Sequence, residues 1–80
     1  MSYELFSEVV LATDIPAQGL RRGDVATVVE RHSVAHGETG YSLEVFNALG
    51  ETLAVLTVPE SQIKPLTRDE VFTVRPIAAG

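Results

Sequence analysis

Tyr41-Ser42-Leu43-Glu44-Val45 alternates apolar and polar side chains without a break, and that alternation decides the fold. Successive side chains of a β-strand point to opposite faces, so a period of two describes a strand with one face in a core and the other in water. The flanking sequence continues the theme. Thr52-Leu53-Ala54-Val55-Leu56-Thr57-Val58 is apolar and rich in β-branched residues, and Asn47-Ala48-Leu49-Gly50 before it reads as a short hairpin turn. Upstream, Asp24-Val25-Ala26-Thr27-Val28-Val29-Glu30 begins directly after Gly23, and residues 6–11 carry Val9, Val10 and Leu11. Both predict strands. Each stretch is short and bounded by Gly, Pro, Asn or Asp, which argues against helices.

The connectors order these strands. Residues 13–23 form a long loop with Pro16, Gly19 and Gly23, and residues 32–39 form a second one with Gly37. Pro59 ends the fourth strand because it has no N–H for the ladder, and its fixed φ suits the start of a 3₁₀ turn over Glu60-Ser61-Gln62. Lys64-Pro65-Leu66 then resumes an extended path. A short strand, a long loop, a three-strand meander, a 3₁₀ turn and a last short strand make the order of a small SH3-like barrel. The expected class is therefore all-β: about five strands plus a C-terminal extra strand, in one domain over residues 1–80. The barrel core falls in residues 5–66 and the edge strand in residues 67–77. Closing a small sheet on itself removes exposed edges. The expected inward set is Val9, Leu11, Val25, Val28, Leu43, Val45, Leu53, Val55 and Ile63, with Phe6 and Tyr41 also drawn into the core.

The tail carries two conflicting signals. Thr67-Arg68-Asp69-Glu70 has the form of a helix capping box. Val71-Phe72-Thr73-Val74-Arg75 after it is β-branched and is stopped by Pro76, so residues 70–75 read as a sixth strand at an edge. Such a strand either pairs with another chain, giving a homo-oligomer through the C-terminal strand, or packs on its own barrel beside the N-terminal strand.

Composition narrows the function classes. Eighty residues hold 6 Lys+Arg against 11 Asp+Glu, a formal charge of −5, an apolar fraction of 45% and no cysteine. The absence of cysteine removes disulfides, thiolate zinc sites and cysteine nucleophiles, and suits a cytoplasmic location. The longest apolar runs, residues 9–12 and 53–56, are too short for a membrane span, which needs about 20 residues. Residues 33–60 contain no Lys or Arg. A negative field of this kind repels a phosphate backbone and makes nucleic acid an unlikely partner.

Asp14-Ile15-Pro16, the stretch Gly19-Leu20-Arg21-Arg22-Gly23-Asp24-Val25, Tyr41-Ser42-Leu43-Glu44-Val45-Phe46, Gly50-Glu51-Thr52, Val58-Pro59 and Asp69-Glu70-Val71 together resemble a set of short bacterial proteins, domain-of-unknown-function family 4926. The resemblance runs over residues 6–75. It implies a small SH3-like barrel without an assigned activity, and it carries over no catalytic or binding residue. Gly23-Asp24-Val25 also looks like the start of a KOW motif, whose RNA-binding role usually comes with basic residues that residues 33–60 lack.

Site chemistry is sparse. His32 and His36 have a spacing that lets two imidazoles share a metal on a helix, with Glu38 as a third ligand, but here they fall in a loop, and solvated histidines are the plainer expectation. Ser7, Ser33, Ser42 and Ser61 lack the strand–turn–helix elbow that exposes a nucleophile. Asp24 reads as a turn residue that hydrogen-bonds loop backbone. No enzymatic activity, metal or cofactor is expected. The residues suited to a partner are Phe46, Phe72 and Val74, which alternation leaves exposed, and the adjacent pair Arg21 and Arg22, whose guanidinia could otherwise pair with Asp14, Glu30 or Glu38. The sequence thus favours a protein–protein interaction or assembly module. The alternatives are a nucleic-acid-binding KOW-like module acting through Arg21 and Arg22, and an accessory or regulatory partner of a neighbouring enzyme or toxin that presents the acidic strands three and four to a basic protein.

Overall fold

The computed structural model describes residues 2–34 and 36–77. Five strands are present: β1 (Glu8–Leu11), β2 (Val25–His32), β3 (Gly40–Phe46), β4 (Thr52–Pro59) and β5 (Ile63–Pro65). They form one antiparallel sheet in the order β4-β3-β2-β1-β5. Two 3₁₀ turns, Pro16–Gln18 and Glu60–Gln62, complete the regular structure, so the all-β class and the strand order are those expected. No helix among the described residues is long and apolar enough to cross a membrane.

Registry explains the core. Val28 lies opposite Leu43, and Leu43 opposite Leu56. Tyr41 faces Val58 and Val45 faces Ala54, so the inward face of the meander is one continuous apolar row. Val9, Leu11, Leu20, Ala26, Val28, Tyr41, Leu43, Val45, Val58 and Ile63 are buried in one cluster, with Tyr3, Ile15, Ala54, Leu56 and Ile77 packed against it. Val58 on one edge strand and Ile63 on the other belong to that same cluster. Yet no ladder joins β4 to β5 among the described residues, and both strands remain edges.

Several expected positions are corrected. Leu53 and Val55 face outward, 42% and 62% exposed, and the smaller Ala54 with Leu56 and Val58 faces in. A bulge sets this phase: Val45 pairs with Ala54 but Phe46 pairs with Thr52, which leaves Leu53 without a partner. On β2 the inward residues are Ala26 and Val28, not Val25. Val25 pairs with Val10 on the opposite face. Phe6 is also outside, 75% exposed, in a turn before β1 with φ +67°. Its N–H donates to the Val28 carbonyl at 2.6 Å, which holds the turn against the sheet.

The C-terminal strand is the largest correction. Residues 66–77 follow β5 without entering the sheet. The capping box forms its reciprocal half, the Thr67 N–H donating to Glu70 Oε1 at 2.6 Å, but the chain after it does not coil. A ladder needs a free row of partners, and β5 offers only three residues ending at Pro65. The segment is held by side chains instead. The Arg75 guanidinium bonds both carboxylate oxygens of Asp24 and the Gly19 carbonyl, and Ile77 packs on the core. The expected edge strand over residues 67–77 is therefore not formed in the sheet among the described residues.

Candidate functional site

The loop between β1 and β2 is built to turn its arginines outward. Pro16 opens the first 3₁₀ turn, and Gly19 closes it in the left-handed region (φ +71°), where its N–H donates to the Pro16 carbonyl. Ile15 and Leu20 bridge across the base, and Leu20 is buried as the anchor. The two carboxylates of the loop are spent on backbone. Asp24 Oδ2 accepts the Arg21 N–H at 2.8 Å, and Asp14 Oδ1 accepts the Arg22 N–H at 2.9 Å. Asp24 thus does the turn work expected of it. The side chains of Arg21 and Arg22 form no ion pair among the described residues, so the expected pairing with Asp14, Glu30 or Glu38 is not made.

Asp24 carries the electrostatics of the loop. Partial burial pushes its carboxyl up, but the Arg75 hydrogen bonds, the Arg21 N–H and the two guanidinium charges outweigh that and hold it below the usual aspartate range. The Arg75–Asp24 pair ties residues 66–77 to the β1–β2 loop.

That tie completes a groove of about 1080 Å³. Its floor is Val10 and Val25, on the face of β1 and β2 opposite the core. One wall is the end of the β3–β4 hairpin with Phe46, Leu49 and Leu53, and the other is the C-terminal segment with Val71, Phe72 and Val74. Arg21, Arg22 and Lys64 line the same groove. All five residues singled out in the sequence, Phe46, Phe72, Val74, Arg21 and Arg22, thus converge on one place although they come from three separate segments. Sequence reasoning missed Leu49, Leu53 and Val71. Leu49 left a signal: an apolar side chain at a hairpin tip, where polar residues are usual, and it is 86% exposed. The groove also inverts the charge of the chain. Asp24 is paired with Arg75, and Arg21, Arg22 and Lys64, which form no ion pair among the described residues, outnumber the remaining acid of the lining, Glu70, on a chain of net −5.

The other candidates do not assemble. His32 Nε2 lies 2.8 Å from Ser42 Oγ, which lies 3.0 Å from Thr57 Oγ1, a polar row on the outer face of β2, β3 and β4. Glu30 Oε1 is 3.4 Å from the same Nε2. A nucleophilic triad needs the carboxylate on the other ring nitrogen, and here both partners compete for one. His36 is exposed in the loop before β3, while Glu38 accepts the Ser61 N–H at 2.7 Å. That N–H and the Ser61 hydroxyl hold the Glu38 carboxyl below its ordinary range. Among the described residues no three His, Cys, Asp or Glu side chains are grouped to hold a metal ion.

The chain belongs to the family described as Domain of unknown function (DUF4926), which matches residues 5–65. The match ends with β5, so the β-sheet lies within it and the segment that forms the second wall of the groove lies beyond it. No curated protein and no solved structure matches the chain.

Proposed function

We propose that this protein is a non-enzymatic protein–protein interaction module whose contact site is the groove between the β3–β4 hairpin and residues 66–77. The observation that carries this reading is the gathering of exposed Phe46, Leu49, Leu53, Phe72 and Val74 around one groove. Scattered exposed apolar residues are ordinary, but a contiguous patch with a polar rim characterises recognition surfaces. The unpaired Arg21, Arg22 and Lys64 at the rim select the occupant: a protein segment with apolar side chains flanked by Asp or Glu.

The test is selection of displayed peptides against the immobilised protein, followed by titration of the enriched peptide into wild type and into Phe46→Ser, Phe72→Ser and Arg21→Ala/Arg22→Ala variants. Enrichment of acidic–apolar peptides, with binding lost about tenfold or more in each variant, is the expected result. Peptides that bind all variants equally, or no enrichment at all, end the proposal. A nucleic acid retained at about 50 mM salt and released by the double arginine change replaces it with the nucleic-acid reading.

A further inference from the structure

The edge of β4 is a second feature, set apart by its open backbone although it shares Leu53 with the groove. The Glu60 N–H donates to the Thr39 carbonyl at 2.9 Å, just beyond the Gly40–Pro59 pair. Hydrogen-bonded and non-hydrogen-bonded pairs alternate along an antiparallel ladder, so this bond fixes the phase. Tyr41–Val58 and Leu43–Leu56 exchange bonds, and the N–H and C=O groups of Val55 and Thr57 point away from β3. Nothing among the described residues pairs with them.

Proteins usually blunt such an edge with a charge, a proline or a short strand. β5, the opposite edge, has two of these devices in Lys64 and Pro65 and is only three residues long. β4 runs eight residues, carries no charge and has its proline only at the end. Its outer face adds Leu53 and Val55 side chains, both exposed. Acids stand near it: Glu51 precedes its first residue and Glu44 stands opposite Val55, in a stretch without Lys or Arg.

We infer that β4 accepts an added antiparallel strand from a basic partner protein, an extended segment that is apolar and β-branched in the middle with Lys or Arg at its ends. Backbone bonds to Val55 and Thr57 supply the attachment, Leu53 and Val55 meet alternate side chains of the segment, and the nearby acids choose its charge. A second copy of this chain fits less well. An antiparallel β4–β4 pair brings together two copies of the same stretch without Lys or Arg, each with its own Glu44 and Glu51, like charge near like.

Amide hydrogen exchange by NMR tests this, with a short valine–threonine peptide bearing terminal lysines and its twin bearing terminal glutamates. The lysine peptide is expected to slow exchange at Val55 and Thr57 by about tenfold or more, and the glutamate peptide much less. Val55→Pro removes the outward N–H without touching a ladder bond and abolishes the effect. Val55→Lys, at an exposed position that leaves the fold intact, abolishes it by repulsion. No slowing with the lysine peptide, equal slowing by both peptides, or an effect that survives Val55→Lys overturns the inference. So does light scattering that reports a dimer with Val55 and Thr57 already protected, because the edge is then occupied by a second copy. Responses confined to Phe72 and Arg22 also overturn it, since they place the peptide in the groove.

Discussion

The guanidinium of Arg75 grips the carboxylate of Asp24 across 51 residues of sequence, and through it the C-terminal segment is fastened to the loop that opens β2. Asp24 is held below its ordinary range in the folded chain. The resulting stability is present above the unfolded value of about 3.9 and is lost as pH falls through the lower folded value. Asp24→Asn should lower Tm by about 4–8 °C at pH 7, and the difference from wild type should shrink as pH falls below the unfolded value. Calorimetry over that range is the check, and a pH-independent difference contradicts the assignment.

Arg75→Gln should release the tail while leaving the sheet intact. Trypsin then cuts after Arg68 faster than in wild type, because protease access follows local opening. Equal cleavage rates show that Arg75 is not what holds the segment down.

Tyr41 is buried, and its hydroxyl accepts the Tyr3 N–H at 3.0 Å and donates to Glu60 Oε1 at 3.2 Å. The Tyr3 ring stands edge-on to it, centroids 5.5 Å apart. Tyr41→Phe keeps the ring contact but orphans the Tyr3 N–H, and should cost about 1–3 kcal/mol in denaturant unfolding. A loss no larger than that of a surface change means that the N-terminal segment does not depend on this hydroxyl.

The facing of β4 yields a paired expectation. Val58→Ala should cost about 1.5–3 kcal/mol because the side chain is buried, whereas Val55→Ala should stay within about 0.5 kcal/mol. Urea midpoints of the two variants decide it, and the reverse ranking restores the opposite phase.

Phe6 pairs a left-handed backbone with an exposed side chain. Asn tolerates that conformation better, so Phe6→Asn should raise stability by about 0.5–1 kcal/mol. A destabilised variant means that the Phe6 ring has a packing role in the native fold.

Alternation in residues 41–45, the turn at Asn47-Ala48-Leu49-Gly50 and the stop at Pro59 made β3, β4 and the second 3₁₀ turn legible, because these are local consequences of side-chain period and proline geometry. The phase of β4 was not legible. Leu53-Ala54-Val55-Leu56 is apolar on both faces, so the pattern alone allows either phase, and only the bulge opposite Phe46 turns Leu53 and Val55 outward. Val25 and Ala26 posed the same ambiguity, resolved by the pairing of Val9 with Ala26. The site residues were legible one by one, through unusual exposure or charge. Their meeting in one groove was not, since it depends on where residues 66–77 lie.

From its sequence alone, this chain determined which residues of the meander extend and where they turn, since backbone sterics and hydrophobic period act between near neighbours. Only the tertiary structure decided that Arg75 reaches Asp24, that the tail walls a groove instead of lengthening the sheet, and that β4 is left as an open edge. Those outcomes rest on contacts between distant segments, where a bulge of one residue or a single ion pair redirects a whole strand or tail.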